Sequence, residues 1–116
     1  MKRQINKREM EIQQIIPRNE LNETLLPTEK AIEYAMLWDK SVSHVFKATT
    51  SYNMVLDRFF KNTDTIIVDG DDEIVEGLLD VKKEIDSEID IVNIRLQKLI
   101  DECNDEILIF EKRKQT

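Results

Sequence analysis

Turn-forming residues are scarce: two glycines and two prolines occur in the 116 residues of the chain. Sandwiches and barrels of β-strands need a turn about every 8–12 residues, and glycine and proline make many of those turns. This scarcity argues against an all-β fold. Charged residues make up 35% of the chain, a proportion typical of long helices with solvated faces. The sequence therefore predicts an all-α protein.

The first long helix is predicted from about residue 28 to residue 61. Thr28 follows Pro27 and is a suitable N-cap, and Glu29 places negative charge where the helix dipole favours it. Apolar residues then recur at gaps of three and four, broken only where Thr49 occupies the expected position, which is the spacing of one helical face. They are Ala31, Ala35, Trp38, Val42, Val45, Tyr52, Leu56 and Phe59.

The second long helix is predicted from about residue 71 to residue 112. Its apolar residues follow the coiled-coil spacing more closely, and Lys82 occupies one position of the series. The residues of this seam are Leu78, Ile85, Ile89, Val92, Leu96, Leu99 and Cys103. We expect five of them to mediate oligomerisation: Ile85, Ile89, Val92, Leu96 and Leu99.

Together these patterns predict a long antiparallel helical hairpin with coiled-coil character and a short N-terminal helical arm. Two helices alone bury little surface, because small cores are marginally stable. Ile91, Ile94 and Leu108 lie outside the seam and also need cover. We therefore expect a homo-oligomer, most simply two hairpins that form a four-helix bundle.

The arm, residues 1–27, is predicted to be distinct from the hairpin domain, residues 28–116. It contains a short amphipathic pattern that Pro17 ends. One interpretation is that the arm folds back over the hairpin. The other is that it binds a protein partner by placing an apolar helix face in a groove. The residues of that face are Ile5, Ile12, Ile15 and Ile16.

The acidic segment 63–77 has two interpretations. Gly70 and Glu76 match the sixth and twelfth positions of an EF-hand calcium loop, but Thr65 and Ile67 stand where that loop normally has carboxylate or amide side chains. The favoured interpretation is a corner between the two helices, in which Asp69, Gly70 and Asp71 turn the chain and Asp72 and Glu73 begin the second helix. We predict no metal site here.

The net charge is −7, and residues 63–110 hold fifteen acidic and four basic side chains. Such a chain repels nucleic acid, whose phosphates are normally neutralised by lysine and arginine. The stripe formed by Glu73, Glu76, Asp80 and Glu84 is interpreted as a solvated helix face. The alternative is an acidic mimic that binds a basic nucleic-acid-binding protein.

Few residues suggest catalysis. The single histidine, His44, has no second histidine or cysteine near it in sequence with which to build a zinc site, and Cys103 falls on the apolar seam. Two carboxylate pairs, Glu73 with Glu76 and Glu102 with Asp105, have the three-residue spacing that can hold magnesium. This arrangement resembles the Glu-x-x-Glu and Glu-x-x-Asp motifs of all-α nucleotide pyrophosphohydrolases of the MazG type.

That resemblance would imply a magnesium-dependent enzyme, with the two motifs on helices that face each other. Here both pairs fall within one predicted helix, about 26 residues or roughly 39 Å apart at 1.5 Å per residue. We therefore predict a non-enzymatic protein without a cofactor, which acts as an assembly or adaptor protein through helix–helix contacts. The composition is typical of small accessory proteins of phages and low-GC bacteria.

The location is predicted from what the chain lacks. Its first residues contain no apolar core of a signal peptide, no apolar run approaches the ~18 residues of a membrane span, and its single cysteine cannot form an internal disulfide. We expect a cytoplasmic protein that has no contact with membranes.

Overall fold

The computed structural model of the chain describes residues 1–17 and 29–114. Most of these residues are helical, as predicted, but the all-α class holds only in part because a two-stranded antiparallel sheet is present. The elements are β1 (Lys2–Asn6), α1 (Lys7–Met10), α2 (Glu29–Phe60), β2 (Thr65–Asp69) and α3 (Glu73–Lys114). Coiled-coil packing and assembly into a bundle stay predictions.

The chain divides into two compact units, and α2 and α3 each contribute one segment to both. Unit 1 comprises Met1–Ile15 and His44–Ile89, and unit 2 comprises Ile16–Ser43 and Asp90–Thr116. The predicted boundary between residues 27 and 28, and the predicted N-cap Thr28, lie outside the described residues.

Both long helices begin and end close to their predicted limits. Helix α2 ends at Phe60, where Lys61 and Asn62 adopt left-handed φ angles of 51° and 66°, a common way to terminate a helix. Helix α3 begins one residue after Asp72, whose carboxylate Oδ1 accepts hydrogen bonds from the backbone N–H groups of Ile74 and Val75 at 2.9 and 3.1 Å. Asp72 is therefore the N-cap of α3 and not, as predicted, part of its first turn.

The predicted helix of the N-terminal arm is replaced by a strand and a single helical turn. Strand β1 pairs with β2 in a register that places Ile5 opposite Ile66, and the backbone N–H of Gly70 donates to the carbonyl of Met1 at 2.7 Å. The strand prevails because its backbone groups are paired along β2, whose β-branched Ile66, Ile67 and Val68 favour extended structure. The segment between α2 and α3 is thus part of a sheet as well as a corner.

Each unit has its own buried side chains. In unit 2, Tyr34 of α2 packs with Leu96 and Ile100 of α3, and partly buried residues surround them: Ile16, Leu37, Trp38, Val92 and Leu99. Unit 1 buries apolar residues from every element except β2: Ile5, Met10, Val45, Tyr52, Leu56, Phe60, Val75, Leu78, Ile85 and Ile89. Five of the seven seam residues predicted for the second helix are buried, including Leu96 and Cys103 in unit 2. Only three of the eight predicted for the first helix are buried, and all three lie in unit 1.

Candidate interaction surfaces

Side chains of α2 and α3 hold the first ten residues against the rest of unit 1. The phenol of Tyr52 donates a hydrogen bond to the backbone carbonyl of Met10, and Lys7 forms an ion pair with Asp57. Arg3 of β1 contacts the carboxylate of Glu76 in α3 at 2.9 Å. This segment therefore folds against its own chain.

The four isoleucines predicted to bind a partner do not form one helical face. Ile5 is buried in β1, Ile12 is half-buried, and Ile16 packs against the core of unit 2. Ile15 is 78% exposed and is the only one of the four with an open side chain. Their role in binding a partner stays a prediction, and Ile15 is the residue available for it.

The five residues predicted to mediate oligomerisation lie mostly inside the chain. Ile85, Ile89 and Leu96 are buried, and Val92 and Leu99 pack beside Leu96 in the core of unit 2. Their contribution to oligomerisation stays a prediction. A contact between copies through these side chains would have to displace the packing that already covers them.

A second group of apolar residues on α3 is exposed in unit 2. Ile91 and Ile94 are 57% and 70% exposed, and Leu108 and Ile109 are 51% and 54% exposed. At 3.6 residues per turn, Ile91 and Ile94 lie on the opposite side of the helix from the buried Leu96. Helix α3 therefore has apolar residues on two sides, and its own unit covers only one of them.

A third feature, which sequence reasoning missed, lies near the start of α3 in unit 1. Gly77 occupies the helix interior, where glycine costs about 0.5–1 kcal/mol relative to alanine. Ile74 and Val81, at 62% and 42% exposure, lie three residues before it and four after it. These three residues share one side of the helix. A glycine in the second turn of the helix, between two apolar residues, was the available signal, but the sequence did not reveal their exposure.

The acidic stripe beside this feature is at the surface, as predicted. Glu73, Glu76, Asp80 and Glu84 are all exposed. Glu76 forms the ion pair with Arg3, while the other three have no ion pair among the described residues. Glu73, Asp80 and Glu84 are therefore the carboxylates of the stripe that are open to a partner.

One member of each carboxylate pair that resembles a pyrophosphohydrolase motif forms an ion pair with a basic side chain. Glu76 contacts Arg3, and Glu102 contacts the ammonium group of Lys30 at 3.2 Å, which raises the pKa of Lys30 through this hydrogen bond and the nearby negative charge. Within the described ranges, no group of three or more histidine, cysteine, aspartate or glutamate residues is placed to hold a metal ion. His44 lies 3.2 Å from Glu88 on the surface, and Cys103 is buried.

A shallow groove in unit 2 has a volume of about 400 Å³. Lys30 lies in it between Glu33 and Glu102, with N–O distances of 3.7 and 3.2 Å. Two leucines and charged side chains of both signs line the groove: Lys30, Glu33, Leu37, Arg95, Lys98, Leu99 and Glu102. This mixed lining selects no particular sign of ligand charge.

No protein-family model, no curated protein and no solved structure matches this chain. In the part of the chain that the structure describes, no helix is long and apolar enough to cross a membrane.

Proposed function

We propose that the chain is a non-enzymatic assembly or adaptor protein that acts through helix–helix contacts. The observation that carries this proposal is the exposure of Ile91 and Ile94 on the side of α3 opposite its buried residues. Single exposed apolar residues are ordinary, whereas several on one side of a helix mark a surface that another helix can cover.

Further exposed apolar residues on α2 and α3 support an assembly surface in unit 2. Leu108 and Ile109 continue the exposed apolar side of α3, and Ile32 and Met36 form an exposed pair one turn apart on α2, at 54% and 68% exposure. Burying a whole isoleucine side chain contributes about 1.5–3 kcal/mol, so a few such residues are enough to drive association. A second copy of the chain is the simplest partner, since homo-oligomers with two-fold symmetry are the commonest kind.

The test is the oligomeric state of the wild-type protein and of the double variant Ile91→Ser/Ile94→Ser, measured by sedimentation velocity and light scattering. We expect the wild-type protein to self-associate at micromolar concentration. The double variant should weaken association by about 30-fold or more, which corresponds to about 2 kcal/mol of lost apolar burial.

The matched control is Met54→Ser/Val55→Ser, which removes two apolar side chains of similar exposure, 53% and 49%, from α2 in unit 1. It should leave self-association unchanged. A folded wild-type monomer throughout the micromolar range, or equal association of the two double variants, would contradict the proposal.

A further inference from the structure

Gly77 is not required by the packing of the residues that the structure describes. Apart from its chain neighbours and the adjacent helix backbone, a Cβ atom built on Gly77 would meet no described atom within 4 Å, so alanine would fit without rearrangement among them. Glycine is nevertheless among the poorest residues in a helix interior. What glycine does provide is a helix backbone that another molecule can approach closely.

The surroundings of Gly77 fit such an approach. Ile74 and Val81 are exposed on the same side of α3, one turn before and one turn after the glycine. Because glycine has no side chain, it leaves a shallow notch between them. We call these three residues the Gly77 strip. A notch between two apolar side chains suits the side chains of a second helix, which pack into gaps of this kind.

Charge beside the strip determines what kind of helix can occupy it. Glu73, Asp80 and Glu84 border the strip, are exposed, and have no ion pair among the described residues. The first and last of them are eleven positions apart, or about 16 Å along the helix at 1.5 Å per residue. A second copy of the strip would bring the same negative charges face to face, which disfavours self-pairing here.

We propose that the Gly77 strip binds a basic amphipathic helix from another protein. A small or apolar residue of that helix packs over Gly77, between Ile74 and Val81, and lysine or arginine side chains along one border meet Glu73, Asp80 and Glu84. A helix of about three turns spans the three carboxylates. This site uses none of the residues proposed for self-association, so either proposal can fail without the other.

The probe is a fluorescein-labelled peptide of about 18 residues, with alanine and leucine on one face and lysines on one border at positions i, i+7 and i+11, the spacing of the three carboxylates. A second peptide replaces these lysines with glutamates. We expect saturable binding of the lysine peptide by fluorescence anisotropy, at least tenfold weaker binding of the glutamate peptide, and weaker binding at higher salt because exposed charges are screened.

The deciding variant is Gly77→Ala. The added methyl group should raise the Tm by about 2–5 °C, because alanine is the better helix former. It should also weaken binding of the lysine peptide at least tenfold, because it fills the notch. Ile74→Ser/Val81→Ser should weaken binding to a similar degree, whereas the control Met54→Ser/Val55→Ser should bind as the wild-type protein does.

A purely structural glycine gives a different result: Gly77→Ala would raise the Tm and leave peptide binding within twofold of wild type. That result would overturn the proposal. Equal binding of the two peptides would also overturn it. So would no detectable binding of the lysine peptide at a protein concentration of about 0.1 mM, at which even a weak contact would be seen.

Discussion

The phenol of Tyr52 in α2 donates a hydrogen bond to the backbone carbonyl of Met10, a residue 42 positions earlier in the chain. Met10 is 1% exposed and Tyr52 is 4% exposed, so the bond lies in the interior of unit 1. Burial raises the pKa of Tyr52 to about 12, and the negative charge of Asp86 acts in the same direction. One neutral phenol therefore links the N-terminal segment to α2.

We expect the contribution of Tyr52 to stability to depend on pH. The phenol is neutral in the folded chain up to about pH 12, whereas in the unfolded chain it ionises near pH 10. Its contribution should therefore be complete below about pH 10 and should fall as the pH rises towards 12, by up to about 2 kcal/mol. Urea unfolding at several pH values measures this loss.

The matched variant is Tyr52→Phe, which keeps the ring and removes the ionising group. It should cost about 1–2 kcal/mol at pH 7, because the buried carbonyl of Met10 loses its donor. Above pH 10 the difference in stability between the two proteins should narrow, because only the wild-type protein loses stability when residue 52 ionises. The titration of lysines affects both proteins equally. A constant difference from pH 7 to pH 12 would show that the phenol is not buried as described.

A substitution of Ile5 tests whether strand β1 packs against the core of unit 1. Ile5→Ala should destabilise the protein by about 2–3 kcal/mol, because the side chain is 7% exposed. Ile15→Ala removes the same atoms from a side chain that is 78% exposed, and should change stability by less than about 0.5 kcal/mol. Equal effects in chemical denaturation would mean that β1 is not held as the structure describes.

The helices were predictable from the sequence because their signals are local. Apolar residues spaced three and four apart predicted both long helices, and the glycine-containing turn predicted the corner between them. The pairing of β1 with β2 is not local, because Ile5 lies opposite Ile66, 61 positions further along the chain. The run Ile66–Val68 was a strand signal, but nothing in the sequence showed that a strand partner lay at the N-terminus.

The candidate surfaces were only partly predictable for the same reason. Ile91 and Ile94 were recognisable as apolar residues outside the seam, and the structure leaves them exposed. Gly77 was visible as one of two glycines, but only the structure shows that the described residues leave open space beside it. Periodicity shows which side of a helix a residue occupies, whereas exposure depends on what the rest of the chain places there.

The N-cap of α3 can be tested with two neighbouring aspartates. Asp72→Ala should cost about 1 kcal/mol, since the backbone N–H groups of Ile74 and Val75 lose their acceptor. Asp71→Ala removes the same charge one residue earlier, where the side chain is exposed and accepts no such bond, and should cost less than about 0.5 kcal/mol. Thermal unfolding of the two variants distinguishes capping from a general effect of negative charge near the helix N-terminus.

Cys103 reports on unit 2 because it is the only cysteine of the chain and is 1% exposed. Its reaction with a disulfide reagent such as DTNB should be at least about 100-fold slower in the native protein than in urea, because the thiol reacts only when the unit opens. Leu96→Ala, which removes a buried side chain, should accelerate the native reaction. Ile94→Ala removes an exposed side chain two residues earlier and, at concentrations below self-association, should leave the rate unchanged. Fast labelling of the wild-type protein would show that the thiol is accessible and that the core of unit 2 is open there.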